Sequence, residues 1–531
     1  MLEIAKLNFG YNDAENYRRK DEKELFNNIF VRTEHLDCLC ENSRFFLIGD
    51  KGTGKTAYAV YLVNNFYNNI FASLYYIRET DYKKFVSLKQ EKHLVLSDYM
   101  DIWKVILLLL LSQSIKQREK SSRIMGNITK FKNINKAVEE YYSNAFSPEI
   151  QHALKFVEQS KLAAQLMFNH AGASAEKSQG VSFDEVRFQT NLLYIQRNFE
   201  EALRLLKLEA NHLVFIDGID IRPSSIPYDD YLECIKGLAN AVWSLNNDFL
   251  ANIKDSVGRL RVVLLIRPDI FSSLGLQNQN NKIRDNSVLL DWQTTYPWYR
   301  RSSIFQIADR LLAYQQSTPL ELGAAWDYYF PYKIVEYGSR ERGSFISFLR
   351  FSLYRPRDII TMLKILQRLV IREGRDPSEV FKKDDFDNSE FRREYADYLS
   401  GEIRDSVSFY HTVEEYELFL KFFEYLEGKP RFTYDEYIEA YACFLKFLEN
   451  NRFRKPTFFD SADTFLQYLY GLNILCYIEE TRDRHVLARW CFRERTFSNI
   501  SPKVKTHLRY EIHYGMGKAF NLGKPLKERG L

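Results

Sequence analysis

The chain has 531 residues, of which 45% are hydrophobic and 27% are charged, so it is long enough for roughly two to four globular domains. Its net charge of +4 is small for this length and excludes a uniformly basic or acidic protein, so nucleic-acid contact would need locally clustered cations. The six cysteines form no CxxC pair, and no signal-peptide pattern begins the chain. The longest apolar run, residues 105–111, is too short to span a bilayer. Together these features predict a reduced, cytoplasmic protein with no membrane contact.

The first strong motif in chain order is a phosphate-binding loop. Two short predicted helices lead to an apolar strand at residues 45–48, and a glycine, four further residues, Gly-Lys-Thr and a helical pattern follow. This strand–loop–helix order is typical of nucleoside-triphosphate sites, where backbone N–H groups and a helix N-terminus bind phosphates. The predicted nucleotide-binding residues of the loop are Gly49, Asp50, Lys51, Gly52, Thr53, Gly54, Lys55, Thr56 and Ala57.

Within this loop, the residue types have separate tasks. Gly49, Gly52 and Gly54 let the backbone curl so that its N–H groups point inward. Lys55 would neutralise the β- and γ-phosphates, and the Thr56 hydroxyl is placed to ligate Mg²⁺.

The next stretch alternates short apolar runs with helical patterns. Residues 73–78 indicate a strand, and residues 93–97 precede a predicted helix over residues 101–114 that is packed on nearly all sides. Residues 115–190 are polar and predict a helical insertion, and a helix over residues 188–208 follows.

A second apolar strand, residues 212–217, ends in Asp217. A buried parallel strand would bring this carboxylate beside Thr56, where it can hold the Mg²⁺ hydration shell. Asp220 follows on the same strand-end turn and is the first candidate to polarise the attacking water. For Asp217 the alternative is an ordinary strand-end acid, and for Asp220 it is a capping or loop acid. Residues 228–245 predict the next helix.

The third buried strand, residues 260–266, ends in Arg267, which could contact the γ-phosphate or form a strand-end salt bridge. A polar loop with residues 281–285 follows, including Arg284. No NKxD guanine signature occurs, so ATP is preferred over GTP. Further along, Arg355 and Arg357 flank Pro356 at the start of a helix over residues 359–371.

The last part of the chain has a different pattern. Residues 373–388 are charged and turn-rich, which is typical of a linker. Helices at residues 413–426, 434–448 and 462–469 precede two extended runs at residues 474–479 and 486–492. Three helices followed by a β-hairpin predict a winged-helix outline.

With these motifs in this order, residues 20–370 resemble prokaryotic AAA+/STAND-type P-loop ATPases, particularly the KAP- and NACHT-like ones associated with phage defence. The resemblance implies that Asp217 is the Mg²⁺ acid, Asp220 the later acid and Arg267 the sensor-1 residue. It also implies that Arg357 is the sensor-2 residue of a lid, with Arg355 as the alternative.

Two further implications concern turnover and assembly. Arg284 or Arg300 would be the finger that reaches a neighbouring subunit's γ-phosphate in a homo-oligomer. Gly218 stands where many AAA+ proteins carry a catalytic Glu, and this departure favours slow hydrolysis.

The expected fold is α/β, a P-loop NTPase (ASCE/AAA+-like) parallel sheet with helices on both faces, followed by a helical lid and a C-terminal winged-helix-like domain. The predicted domains are an ATPase core at residues 1–300 with the insertion at 115–190, the lid at 301–388 and the C-terminal domain at 389–531.

Two classes of function fit this organisation. The leading hypothesis is an ATP-hydrolysing switch that oligomerises with nucleotide and controls an effector protein such as a nuclease, in prokaryotic antiviral defence. The alternative is a nucleotide-controlled DNA-binding ATPase of the replication- or transposition-loader type. Its support is a set of C-terminal cations on or near the hairpin, which comprises Arg482, Arg484, Arg493, Arg495, Lys503 and Lys505.

Overall fold

The computed structural model describes residues 1–77, 99–121, 185–223, 226–335, 341–376, 379–481 and 486–522. The chain divides into two compact units. The sheet unit consists of Glu34–Gly49 and Lys55–Leu290, and the helix-rich unit consists of Met1–Thr33, Asp50–Gly54 and Asp291–Leu531. The predicted phosphate loop is therefore divided. Its central residues, Asp50–Gly54, are grouped with the helix-rich unit, and its flanking residues are grouped with the sheet unit. The three-domain division at residues 300 and 388 stays a prediction.

The strands of the described chain fall into three sheets. In chain order they are β1 (Phe46–Ile48), β2 (Ile70–Tyr76), β3 (Asn211–Asp217), β4 (Leu260–Ile266), β5 (Ser287–Leu289), β6 (Lys333–Val335), β7 (Glu341–Gly343), β8 (Arg431–Thr433), β9 (Leu475–Glu480), β10 (Val486–Arg489) and β11 (Arg509–Ile512).

The α-helices of the described chain are α1 (Lys23–Ile29), α2 (Glu34–Cys40), α3 (Lys55–Asn64), α4 (Tyr99–Ser121), α5 (Glu185–Arg204), α6 (Tyr228–Ser244), α7 (Pro268–Ser273), α8 (Gln279–Asn286), α9 (Ser303–Ala313), α10 (Ala324–Tyr329), α11 (Phe345–Phe351), α12 (Pro356–Arg372), α13 (Asp384–Asp387), α14 (Ser389–Tyr410), α15 (Val413–Phe422), α16 (Tyr434–Asn450), α17 (Ala462–Gly471) and α18 (Cys491–Glu494). None of these helices is long and apolar enough to cross a bilayer.

The sheet unit is built on a five-stranded parallel sheet in the order β2–β3–β4–β1–β5. Every residue of β4 is buried, as are all but the first residue of β3. Their near-continuous apolar sequences are those of strands covered on both faces, since an alternating pattern would leave one face to solvent. The flanking helices supply that cover, and the α/β prediction is confirmed.

Several boundaries in the sheet unit differ from the prediction. The helix after the loop ends at Asn64, whereas its predicted end is about residue 69. Asn68 and Asn69 have left-handed φ angles of 49° and 56° and are therefore not helical. The predicted loop at residues 281–285 is wrong, since these residues belong to α8. Residues 93–97 and most of the predicted insertion at 115–190 lie outside the described residues.

The helix-rich unit contains a four-stranded antiparallel sheet in the order β10–β9–β11–β8. The predicted hairpin is confirmed, because β9 pairs with β10 from Glu480 opposite Val486 onward. Its second strand is shorter than predicted and ends at Arg489, after which α18 forms. The winged-helix interpretation of this region stays a prediction.

Aromatic side chains account for much of the packing in the helix-rich unit. The Trp326 ring stacks on Phe330 with centroids 4.3 Å apart, and it meets Phe345 and Phe348 edge to face. Its indole Nε1–H donates to Ser344 Oγ at 2.9 Å, which satisfies the only polar group of a buried side chain.

Candidate functional site

Three strands of the sheet unit bring predicted site residues to one edge. Parallel strands share the direction in which they end, so Gly49 after β1, Asp217 at the end of β3 and Arg267 after β4 all lie at the carboxyl edge. The chain leaves β1 toward β2 on one side, whereas the connection from β4 crosses to β5 on the other. Right-handed crossovers place these connections on opposite faces, and the strand ends at such a switch point are the usual ligand position in open α/β sheets.

A short hydrogen bond at this edge joins Thr56 and Asp217. The Thr56 hydroxyl donates to Asp217 Oδ2 at 2.6 Å, and the Gly218 backbone N–H donates to Oδ1 at 2.8 Å. Gly218 has a φ of +91°, and a Cβ there would lie 2.5 Å from the Ile77 carbonyl oxygen. The turn that holds the Asp217 carboxylate therefore requires glycine.

The environment of Asp217 favours a bound cation. The residue is only 7% exposed, and this burial raises the pKa of its carboxyl group. The charge of Asp220 raises this pKa further, whereas Thr56, Lys55 and the Gly218 N–H oppose the shift. A carboxylate that is costly to ionise in isolation gains most from a neighbouring positive charge.

Lys55 lies at the same edge. Its Nζ donates to the Gly49 carbonyl oxygen at 2.9 Å and is 3.4 Å from Asp220 Oδ2. The side chain is 6% exposed, and the other Asp220 oxygen is buried without a hydrogen-bond partner in the described structure. The sheet unit thus gathers Gly49, Lys55, Thr56, Asp217 and Asp220, with Ala57 in the first turn of α3.

Magnesium prefers oxygen ligands and usually keeps several waters, with one or two carboxylates and substrate phosphates completing its shell. The Thr56 hydroxyl and the Asp217 carboxylate are such oxygens, and the unsatisfied Asp220 oxygen could accept a hydrogen bond from a metal-bound water. These residues fit Mg²⁺ held together with phosphate. In the described part of the chain, no group of three or more His, Cys, Asp or Glu side chains forms a metal site on its own.

The central residues of the loop form a tight turn in the helix-rich unit. Gly52 and Gly54 have φ angles of +85° and +97°. The Thr53 N–H and hydroxyl both donate to the Asp50 carbonyl oxygen, at 3.2 and 2.8 Å. The Trp292 indole N–H donates to the Thr53 carbonyl oxygen at 2.8 Å. This turn has the backbone curvature expected of a phosphate-binding loop.

Charged side chains from distant parts of the helix-rich unit bind this turn. Asp50 pairs with Arg495, and Lys51 pairs with Asp405. The Arg355 guanidinium donates to the Lys51 carbonyl oxygen at 2.9 Å.

Arg357 is also next to the turn. Its backbone N–H lies 3.5 Å from the Gly52 carbonyl oxygen, and a Cβ on Gly52 would be 3.3 Å from the Arg357 Cβ. The guanidinium donates to the Asn12 carbonyl oxygen at 3.2 Å. The structure therefore places Arg357 next to residues 50–54, the centre of the predicted loop.

The other predicted arginines have different surroundings. Arg267 is buried and pairs with Asp269, its Nε donating to Oδ1 at 3.0 Å, which is the strand-end salt bridge given as its alternative role. Arg284 lies exposed in α8. Arg300 is in the helix-rich unit, where it pairs with Asp327.

Sequence reasoning missed several residues that contact the loop centre, namely Trp292, Glu402, Asp405 and Arg495. They are 239 to 445 residues away from their loop partners in sequence, and no local pattern marks them. The position of the Arg355 guanidinium does have a local signal in the sequence. Asp358, three residues later, is its ion-pair partner at 2.7 Å.

No protein-family model matches the chain, and no curated protein is significantly similar to it in sequence.

Proposed function

We propose that residues 49–56 bind Mg²⁺-ATP and that the protein is an ATP-hydrolysing switch. The observation that carries this proposal is the 2.6 Å hydrogen bond between Thr56 and Asp217, which joins the first residues of α3 to the end of β3. The two residues are a hydroxyl and a carboxylate at the carboxyl edge of a parallel sheet, beside the buried Lys55. This is the set of groups that phosphoryl-transfer sites use to hold magnesium and phosphate.

In this proposal, each residue acts by position and charge. Lys55 pairs with the phosphates, while Thr56 and Asp217 hold Mg²⁺. When bound, Mg²⁺ would neutralise charge that develops on the phosphate oxygens. Asp220 orients the attacking water through its unsatisfied oxygen, and Arg267 is held at the end of β4 by Asp269. No covalent intermediate is required.

The proposed turnover is slow. Gly218 cannot supply a carboxylate, and its left-handed φ with the close Ile77 carbonyl leaves no room for one. Asp220 is the remaining acid, and it is engaged by the Lys55 ammonium at 3.4 Å. Because Asp220 is held by Lys55 and position 218 carries no second acid, the geometry supports a switch better than a fast hydrolase.

Equilibrium binding of ATP with and without Mg²⁺ tests the proposal. We expect Thr56→Ala and Asp217→Asn to weaken binding by about tenfold or more in the presence of Mg²⁺ and much less in EDTA, because they remove metal contacts. Asp230→Asn, in the first turn of α6, is a matched acidic control that should behave as wild type. Equal losses with and without Mg²⁺ would contradict the metal role.

The larger organisation belongs to the same proposal. The helical lid at residues 301–388 contains α12, whose first turn carries Arg357 beside Gly52. Nucleotide then drives homo-oligomerisation, completed by Arg284 or Arg300 as the finger, and the oligomer controls an effector protein such as a nuclease in antiviral defence. Gel filtration tests this, because ATP should increase the apparent size of wild type. The shift should be lost in one of the two variants, Arg284→Ala or Arg300→Ala, and that variant identifies the finger.

Two cations on or near the C-terminal hairpin are already paired with acids, which weakens the support for the DNA-binding alternative. Arg489 pairs with Glu479 at 3.0 Å and with Glu494 at 3.2 Å, and Lys505 also pairs with Glu479. Cations that are already neutralised gain less from phosphate contacts. Arg482 and Arg484 lie outside the described residues, so the DNA-binding alternative stays a prediction.

A further inference from the structure

We propose that Glu402 competes with nucleotide phosphates for the cations beside the predicted loop, and that ATP binding displaces it. This inference rests on the proposed nucleotide function. It assigns to α14 the task of holding the loop centre when nucleotide is not bound and of being released when it binds.

The geometry shows three cations converging on one carboxylate. Glu402 Oε1 lies 3.4 Å from Lys51 Nζ and 3.5 Å from Arg357 Nη1, and Oε2 lies 3.5 Å from Arg355 Nη1. The Glu402 side chain is only 14% exposed. All three cations contact or belong to the turn at residues 50–54, so the position taken by this carboxylate is an anion position next to the loop.

The contacts of Glu402 are long, however. Its Oε2 is buried and has no hydrogen-bond partner in the described structure. By contrast, Asp358 binds the Arg355 guanidinium through both oxygens at 2.7 to 3.1 Å, and Tyr398 donates to Asp358 at 2.8 Å. Arg355 is therefore positioned by Asp358, and Glu402 can leave without releasing it.

Phosphate is the better partner for these cations. A triphosphate carries more charge than one carboxylate, and its oxygens can accept short, bidentate, charge-assisted hydrogen bonds from guanidinium groups. A buried carboxylate with an unsatisfied oxygen is costly, so its exchange for phosphate also relieves that cost. Because the same cations cannot serve both anions, nucleotide and Glu402 bind in competition.

Displacement would also change the attachment of α14 to the loop. Asp405, one turn after Glu402, pairs with Lys51 and is largely exposed. Once Lys51 turns toward phosphate, both acidic contacts of α14 with the loop are lost together. The occupied loop is thereby coupled to a helix at the start of the C-terminal region.

Equilibrium binding of Mg²⁺-ATP to the full chain tests the competition. We expect Glu402→Gln to bind ATP about fivefold or more tightly than wild type, since coupling of this kind is typically worth roughly 5- to 150-fold. Glu394→Gln is the matched control, because Glu394 is on the same helix and pairs with Arg368 at 2.7 Å, away from the loop. Its affinity should equal that of wild type.

A second variant and a second readout keep the test independent of folding. Glu402→Asp shortens the side chain by one methylene and should also tighten binding, by less than Glu402→Gln. Hydrogen exchange in α14 should rise when ATP is added to wild type and already be raised in Glu402→Gln. Unchanged or weaker ATP binding by Glu402→Gln, while Lys55→Ala still abolishes binding, would overturn this inference and leave the proposed function standing. Failure of wild type to bind ATP would overturn both.

Discussion

Thr56 and Asp217 are 161 residues apart in sequence, yet a single hydrogen bond joins them at the edge of the sheet. Burial raises the pKa of the Asp217 carboxyl group, and the two donors, Thr56 and the Gly218 N–H, partly compensate. The arrangement depends on a backbone turn as much as on the acid itself, because Gly218 directs one of those donors.

The turn at Gly218 gives the first prediction. We expect Gly218→Ala to destabilise the protein by about 2–4 kcal/mol, since the new Cβ would combine left-handed strain with a clash against the Ile77 carbonyl oxygen. The measurement is urea unfolding. Gly275→Ala is the matched control, because Gly275 has a φ of +56° but no atom within 4 Å of the place that a Cβ would occupy, so only strain of about 1 kcal/mol remains. Equal losses in the two variants would contradict the clash.

His513 gives a prediction about pH. Burial lowers the pKa of this imidazole to about 4, whereas an unfolded histidine titrates near 6.5. Between these values the unfolded state binds a proton that the native state does not, so stability falls as the pH is lowered from about 6.5 toward 4. The contribution of His513 to the loss between pH 7 and pH 5 is about 2 kcal/mol.

The variant His513→Asn tests this assignment. It keeps an acceptor for the Gly515 N–H, which His513 Nδ1 binds at 3.2 Å, but it cannot titrate in this range. Urea unfolding at pH 7 and pH 5 should show a loss about 2 kcal/mol smaller than in wild type. The exposed His507, replaced by Asn, serves as control. An undiminished loss in His513→Asn would show that other groups dominate the acid sensitivity.

At the residue scale, the sequence allowed the carboxyl-edge residues to be predicted, because motif spacing and strand ends are local signals. Lys55, Thr56 and Asp217 are in this class. The loop contacts of Glu402 and Arg495 could not be predicted, since they depend on how α14 and the end of α18 pack. Packing partners leave no periodic pattern in the sequence.

The Asn246 side chain hydrogen-bonds the edge of β4 that faces β1, at a position before the first residue of β1. Leu264 donates its N–H to Phe45 O at 2.9 Å, so the N–H of Val262, two residues earlier, faces the same side. There the Asn246 amide accepts from the Val262 N–H at 2.9 Å and donates to its carbonyl oxygen at 2.8 Å. A further bond to Val242 O at 2.7 Å ties this amide to the end of α6.

We therefore expect Asn246→Ala to destabilise the protein by about 2–4 kcal/mol, because it leaves two buried backbone groups of β4 without partners. Urea unfolding measures this loss. Asn252→Ala is the control, since the Asn252 amide is exposed and its loss should change stability by no more than about 0.5 kcal/mol. A loss below about 1 kcal/mol in Asn246→Ala would mean that water replaces the amide.

The bounds of long apolar or amphipathic helices and strands could be predicted from the sequence. Strand β4 has the predicted bounds. Helix α12 starts three residues earlier than predicted, at Pro356, where proline suits the first turn, and ends one residue later, at Arg372. Helix α8 was missed because its sequence, Gln-Asn-Asn-Lys-Ile-Arg-Asp-Asn, is polar and buries little beyond Lys282 and Ile283. Such a short helix is set by its neighbours, not by its own periodicity.

At the scale of the whole molecule, the division into two units cuts through the predicted phosphate loop. Gly49 and Lys55 are grouped with the parallel sheet, while Asp50–Gly54 are grouped with the helix-rich unit. Two of the four places where the chain passes from one unit to the other therefore lie in this segment. Sequence motifs locate this segment but carry no information about which later residues surround it.

The measurement that tests the central claim most directly is phosphate release from Mg²⁺-ATP by the full chain. We expect slow hydrolysis by wild type and a loss of about 100-fold or more in Lys55→Ala, which removes a charge aimed at the phosphates. Lys207→Ala, which removes an exposed lysine of the sheet unit paired with Asp255, should match wild type. Hydrolysis that persists in Lys55→Ala, or the absence of hydrolysis by wild type, would contradict the proposed ATPase function of residues 49–56.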